Sequence, residues 1–104
     1  MKTTSIHSMD DLRRVLIPNG LRNQTGFNIG DRLTALVNHV DKTVTLFKFD
    51  GSGGGELTLD ALGRVTLDNG YVNSLGWGKR DKLTVTLGTG GITIALAMHQ
   101  KACA

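Results

Sequence analysis

Residues 12–20 read LRRVLIPNG, and residues 62–70 read LGRVTLDNG. This recurrence constrains the fold more than any other feature, because self-similarity at a fixed period means one structural unit built twice. Sliding the chain against itself by 50 positions places Asp10 on Asp60, Leu12 on Leu62, Arg14 on Arg64, Val15 on Val65, Asn19 on Asn69, Gly20 on Gly70 and Asn23 on Asn73. Gly26 then falls on Gly76, Phe27 on Trp77, Asp31 on Asp81, Leu33 on Leu83 and Thr34 on Thr84 without a gap. With two residues dropped from a turn, Val44, Thr45 and Leu46 fall on Ile92, Thr93 and Ile94. The copies have diverged too far to be one sequence pasted twice.

A chain of 104 residues has the usual size of one domain and is too short for two ordinary ones. A unit of about 50 residues has too little interior to be stable alone. The run GSGGG at 51–55 joins the copies and has the composition of a flexible connector. Five residues reach roughly 17 Å at most, so the copies must lie against each other. The expected organisation is a single domain: repeat one at 1–50, connector at 51–55, repeat two at 56–97 and a tail at 98–104. The two copies complete one core about an approximate two-fold axis.

Within a copy the pattern reads strand, strand, short helix, strand, strand. Val15 and Ile17 alternate with Arg14 and Leu16, as Val65 and Leu67 do with Arg64 and Thr66, which is the period of a half-buried strand. Pro18 suits the first position of a helix, and Asp68 suits a helix N-terminus through capping and the dipole. Gly26 and Gly76 are expected to stop each helix after about two turns. Leu33, Ala35 and Val37 alternate with Arg32, Thr34 and Leu36, and Leu83, Val85 and Leu87 with Lys82, Thr84 and Thr86. Turns at 38–42 and 88–91 then lead into strands at 44–49 and 92–97, closing one hairpin per copy. The stretches 4–9 and 56–59 supply one more strand each, giving a mostly β module of eight strands.

Composition excludes several classes. The chain has no run of about 18 apolar residues and no secretory signal pattern near its start, so no membrane role and a soluble, cytoplasmic protein are expected. Its single cysteine, Cys103, gives no disulfide and no metal-ligand spacing with His7, His39 or His99. No metal or cofactor is expected. No Gly-Lys-Ser/Thr follows GSGGG, which removes the phosphate-loop reading. No nucleophile motif or carboxylate pair stands out, so no catalytic residue is assigned and an enzyme is not expected. A net charge of +3 permits a nucleic-acid partner without demanding one.

Residues 1–37, MKTTSIHSMDDLRRVLIPNGLRNQTGFNIGDRLTALV, resemble the DNA-binding domain of the AbrB and SpoVT transition-state regulators. That family's pattern runs roughly D-x-x-G-R-[VI]-x-[IL]-P-x-x-[LI]-R-x-x-L-G-[IL]-x-x-G-D-x-[LI]. Residues 57–85, LTLDALGRVTLDNGYVNSLGWGKRDKLTV, match it more loosely, and the resemblance extends to MazE-type antitoxins and tandem MraZ proteins of bacteria. It implies a double-split, swapped-hairpin β-barrel formed by two pseudo-symmetric ββαββ repeats, with both subunits carried on one chain. It also implies a transcription regulator whose arginines contact double-stranded DNA.

Carried over by position, the family's strand arginine falls on Arg14 and Arg64. Its helix basic pair falls on Arg22 and Asn23, but on Val72 and Asn73 in the second copy. A further basic position lands near His7, with Leu57 as its counterpart, and Arg13 replaces the glycine before the strand arginine. The candidate DNA-binding set is therefore Arg13, Arg14, Arg22, Asn23, Arg64 and His7. Residues 1–50 hold seven Lys and Arg against five acids, net +2, and residues 51–104 hold five against four, net +1. Weaker or lopsided binding is therefore expected. Trp77 is read as packing in the place of Phe27, and Asp31 and Asp81 as holding the turn into the third strand. The alternative is an antitoxin-like or scaffolding module that has lost DNA binding and keeps a protein partner. A homodimer of the chain, with Phe47 or Phe49 in the contact, is left open.

Overall fold

The computed structural model describes residues 4–49, 55–78, 80–88 and 91–97. Residues 51–54 of the expected connector, Lys79, residues 89–90 of the expected second turn, and the expected tail with His99 and Cys103 lie outside the described residues. The first copy forms β1 (Thr4–Ser8), β2 (Arg14–Leu16), α1 (Asn19–Thr25), β3 (Arg32–Asn38) and β4 (Thr43–Lys48). The second repeats the order as β5 (Gly55–Thr58), β6 (Arg64–Thr66), α2 (Asn69–Leu75), β7 (Lys82–Gly88) and β8 (Gly91–Leu96). The chain is thus mostly β with two short helices.

Neither first strand pairs within its own copy. β1 runs antiparallel to β7, with Thr4 opposite Thr86 and Ser8 opposite Lys82, while β5 runs antiparallel to β3, with Arg32 opposite Thr58. The hairpins β3–β4 and β7–β8 join through β4 and β8, where Thr45 faces Thr93. The result is one six-stranded antiparallel sheet in the order β1-β7-β8-β4-β3-β5. β2 and β6 form a separate two-stranded ribbon in which Val15 faces Val65. Thr45 with Thr93 and Val15 with Val65 are equivalent residues of the two copies, so the approximate two-fold axis passes through both pairs.

The eight strands do not close into a barrel through a continuous ladder. β1 and β5 are the edges of an open sheet, and β2 and β6 pair only with each other among the described residues. Each ribbon strand is only three residues long, held between a turn and a helix. After β2, Pro18 has no N–H with which to extend a ladder.

One core lies between sheet and ribbon. Val15, Ile17, Leu33, Val44 and Leu46 of the first copy and Val65, Leu67, Leu83, Ile92 and Ile94 of the second belong to one cluster and are fully buried. Burial of such a side chain contributes about 1.5–3 kcal/mol, so neither half could lose the other's share without losing most of its stability. Phe27 and Trp77 are buried at equivalent places in the same core.

The helices follow the expected grammar with one shift. Pro18 is the N-cap of α1, with ψ 147°, and not its first turn. At the same position of α2, the Asp68 carboxylate accepts from the Gly70 amide at 3.0 Å. Gly26 and Gly76 end the helices in the left-handed region at φ 77° and 75°. Gly55, expected in the connector, instead opens β5 opposite Ala35, where a Cβ would overlap the Tyr71 hydroxyl.

Strand alternation misplaces one residue. Thr34, expected on the wet face, is 2% exposed, because Phe47 of β4 and Glu56 of β5 flank it across both ladders. Its equivalent, Thr84, donates to the Ala95 carbonyl at 3.3 Å, whereas the Thr34 hydroxyl has no hydrogen-bond partner among the described residues. An unpartnered buried hydroxyl costs about 1–3 kcal/mol. Thr34→Val is therefore expected to stabilise the protein by about 1 kcal/mol, read as a higher urea midpoint with an unchanged slope. Thr84→Val is expected to do the reverse.

Candidate nucleic-acid interface

The outer face of the ribbon is built from two copies of one turn. Residues 10–13 and 60–63 close tight turns in which the Arg13 amide donates to the Asp10 carbonyl and the Gly63 amide to the Asp60 carbonyl, both at 3.0 Å. The Asp10 Oδ1 accepts from the amides of Leu12 (2.9 Å) and Arg14 (2.8 Å), and its Oδ2 accepts from Arg14 Nε at 2.6 Å. In the second copy Asp60 Oδ1 accepts from Leu62 and Arg64 at 2.9 and 2.8 Å, and Oδ2 from Arg64 Nε at 3.1 Å. An aspartate four residues before the arginine thus fixes both the turn and the guanidinium.

Both carboxyls titrate below the ordinary value of 3.8. Desolvation alone would raise Asp10, but the Arg14 amide, its guanidinium and the Leu12 amide together outweigh it. For Asp60 the bond from the Arg64 amide dominates.

Arg14 faces Thr66 and Arg64 faces Leu16 in the ladder. The two arginines are therefore diagonal neighbours on one face, about 7–8 Å apart at the backbone. Their side chains are 30% and 26% exposed.

Two further guanidinium groups flank them. Arg22 of α1 donates through Nε to the Ile17 carbonyl at 3.0 Å and lies over Gly63, next to Arg64. A Cβ on Gly63 would stand 3.1 Å from that guanidinium, and Gly63 itself sits at φ 79°. Arg13 donates through Nε to the Leu67 carbonyl at 3.2 Å.

All four arginines are tied down through Nε. Among the described residues, none of their terminal nitrogens makes a hydrogen bond, so each presents the end of a planar fork that suits oxyanions. The other two arginines are used differently. Arg80 binds Asp11 through Nε (3.1 Å) and Nη2 (3.2 Å). Arg32 binds Glu56 through Nη1 at 3.0 Å and stacks on Phe49, 4.4 Å from the ring centroid.

The remaining expected site residues divide. Asn23 is exposed on α1 beside Arg22. His7 is half-buried on β1 opposite the core residue Leu83, with its Nε2 2.7 Å from Ser5 Oγ, and belongs to the sheet and not to the ribbon. Asp31 and Asp81 accept from the amides of Asn28 (2.8 Å) and Gly78 (2.7 Å), holding the turns before β3 and β7. Asp10 and Asp60 are site residues to which alignment of the two copies alone assigns no role. The signal was there, in the D-x-x-x-R spacing shared by DDLRR and DALGR.

Among the described residues no cluster of His, Cys, Asp and Glu could hold a metal ion, and no helix is long and apolar enough to cross a membrane. No family model matches the sequence, and no curated protein is similar to it. Among solved structures, the chain is similar to the solution structure of PHS018 from Pyrococcus horikoshii, with a TM-score of 0.54 and 17% identity. The match covers 95% of this chain and 92% of that one. At that identity the likeness concerns the fold alone.

The depressed carboxyl pKa values set an acid limit. Their contribution is present above the unfolded value of 3.8 and is lost as pH falls through the lower folded values. Unfolding free energy is expected to drop as pH falls below about 4, and Asp10→Asn with Asp60→Asn to flatten that limb. At pH 7, Asp60→Ala is expected to cost about 1–2 kcal/mol in urea unfolding, since it frees two amides and a guanidinium.

Proposed function

We propose that the chain is a covalently fused pseudo-dimer of the AbrB-like swapped-hairpin type that binds duplex DNA through the outer face of its β2–β6 ribbon and acts as a cytoplasmic transcription regulator. Exchange of β1 and β5 between the copies and a ribbon centred on the axis support the architecture. One observation carries the function. Arg13, Arg14, Arg22 and Arg64 are each anchored through Nε, and among the described residues their terminal nitrogens make no hydrogen bond.

Anchoring matters energetically. A free arginine loses about 2 kcal/mol of rotamer freedom when it is immobilised, and these four have lost much of it before the ligand arrives. A phosphate oxygen then meets a fork already in place, and the bond is charge-assisted. Asp10 and Asp60 offset part of the cationic field, so the face works through geometry more than through bulk charge. Such contacts position the protein on the duplex, and sequence is read through base edges and DNA shape. To Asn23, exposed beside Arg22, we assign the contact with a base edge.

A second reading has its own support. Leu12 and Leu62 stand at the tips of the two turns, 59% and 65% exposed, beside the same arginines. A protein partner with acidic and apolar groups would fit this face, which is the antitoxin-like or scaffolding alternative.

A gel-shift series on random duplex DNA from low to moderate salt separates the two. Four phosphate contacts give a slope of log K on log salt of about −3 to −4. Arg22→Ala is expected to reduce that slope by about 1, and Arg80→Ala, which removes an arginine whose Nη2 as well as Nε is bonded to Asp11, to leave it unchanged. No retention at low salt, or equal losses for the two variants, would contradict the DNA reading.

A further inference from the structure

The two halves of the ribbon differ at two places that compensate each other. In the turns, Arg13 stands where the second copy has Gly63, and it holds the left-handed conformation at φ 65°. That conformation burdens an arginine and costs glycine nothing. In the helices the difference is reversed, with Arg22 in α1 and Val72 in α2.

The geometry joins these differences. Arg22 reaches the Ile17 carbonyl and lies over Gly63, whose missing side chain leaves the room it occupies. Ile17 is equivalent to Leu67, and the Leu67 carbonyl is taken by Arg13 at 3.2 Å. The backbone frame is the same on both sides, since the Ile17 amide donates to the Gly63 carbonyl and the Leu67 amide to the Arg13 carbonyl, each at 2.8 Å.

We infer that Arg13 fills the guanidinium position given up at Val72, so that arginine with glycine at 22 and 63, and arginine with valine at 13 and 72, are two solutions to one site. An arginine at 72 would meet the Leu67 carbonyl already bonded, with the Arg13 Cβ standing where Gly63 leaves space on the other side. The left-handed arginine is retained because its side chain replaces a cation that the helix lacks. Counting charges by copy gives +2 and +1, but counting guanidinium groups by place gives two at each end of the ribbon: Arg14 with Arg13, and Arg64 with Arg22. The ligand meets a balanced set. This last step rests on the DNA reading above; the shared position does not.

Four proteins test it: the wild type, Arg13→Gly, Val72→Arg and the double variant. Arg13→Gly is safe for folding, because glycine already occupies the equivalent turn at Gly63. Thermal melting reads the shared position without any ligand. Val72→Arg is expected to lower Tm by several degrees in the wild-type background and by at least about 4 °C less in the Arg13→Gly background, a difference on the scale of one lost interaction in a domain of this size. Equal losses in both backgrounds, or failure of Val72→Arg to fold in either, would overturn the inference.

Binding to random duplex DNA across a salt series reads the ligand contact. Arg13→Gly is expected to reduce the salt slope by about 1, as Arg22→Ala does, and the double variant to restore it. Wild-type binding that Arg13→Gly leaves unchanged would overturn Arg13 as a contact. Coupled melting in a protein that shows no salt-dependent duplex binding would support the shared position and overturn the DNA reading alone.

Discussion

β1 and β5 each pair along one edge, and in both cases the partner strand belongs to the other copy. An unpaired strand edge over an incomplete core is unstable in water. In this chain each first strand crosses to the other copy, β1 onto β7 and β5 onto β3, and its core residues cross with it. Leu57 of the second copy is buried opposite Leu33 of the first. Two further contacts lie on the axis itself, β4 with β8 and β2 with β6. Hydrogen-bond satisfaction and apolar burial therefore impose the same requirement, that both copies be present. The repeat in the sequence is the record of that requirement.

The same symmetry sets the candidate site. A ribbon centred on the two-fold brings Arg14 and Arg64 to one face as diagonal neighbours, the turns that start its strands bring Arg13 and Gly63 to its ends, and α1 brings Arg22 over Gly63. Two aspartates hold the turns and the strand arginines together. Their charges weaken the long-range field while fixing the geometry. A protein with so modest a net charge gains more from prearranged donors than from attraction at a distance.

Much of this architecture was legible in the sequence. Strand periodicity placed Val15, Ile17, Val65 and Leu67 inward, and glycine placed both helix ends, because a short-range steric rule decides each of these. Thr34 was misplaced because its burial is set by Phe47 and Glu56 on neighbouring strands, which a period of two does not report. The barrel implied by the family resemblance is not closed by the ladders, since β2 and β6 pair only with each other among the described residues. Asp10 and Asp60 went without a role because an Asx turn and an ion pair at i and i+4 look alike as letters. Arg13 is legible in the sequence as an added cation in the place of a glycine, but its anchor is not. Its destination, the Leu67 carbonyl, is 54 residues away and follows only from the exchange of strands.

Dependence of each half on the other is tested most directly by separating them. Residues 1–50 and 51–104, prepared as two peptides, should each show little cooperative melting by circular dichroism at concentrations where sedimentation finds monomers. Mixed in equal amounts, they should recover one cooperative transition and the dispersed amide spectrum of the intact chain. A peptide of residues 1–50 that melts cooperatively while remaining monomeric would contradict the shared core and the two-fold ribbon built upon it.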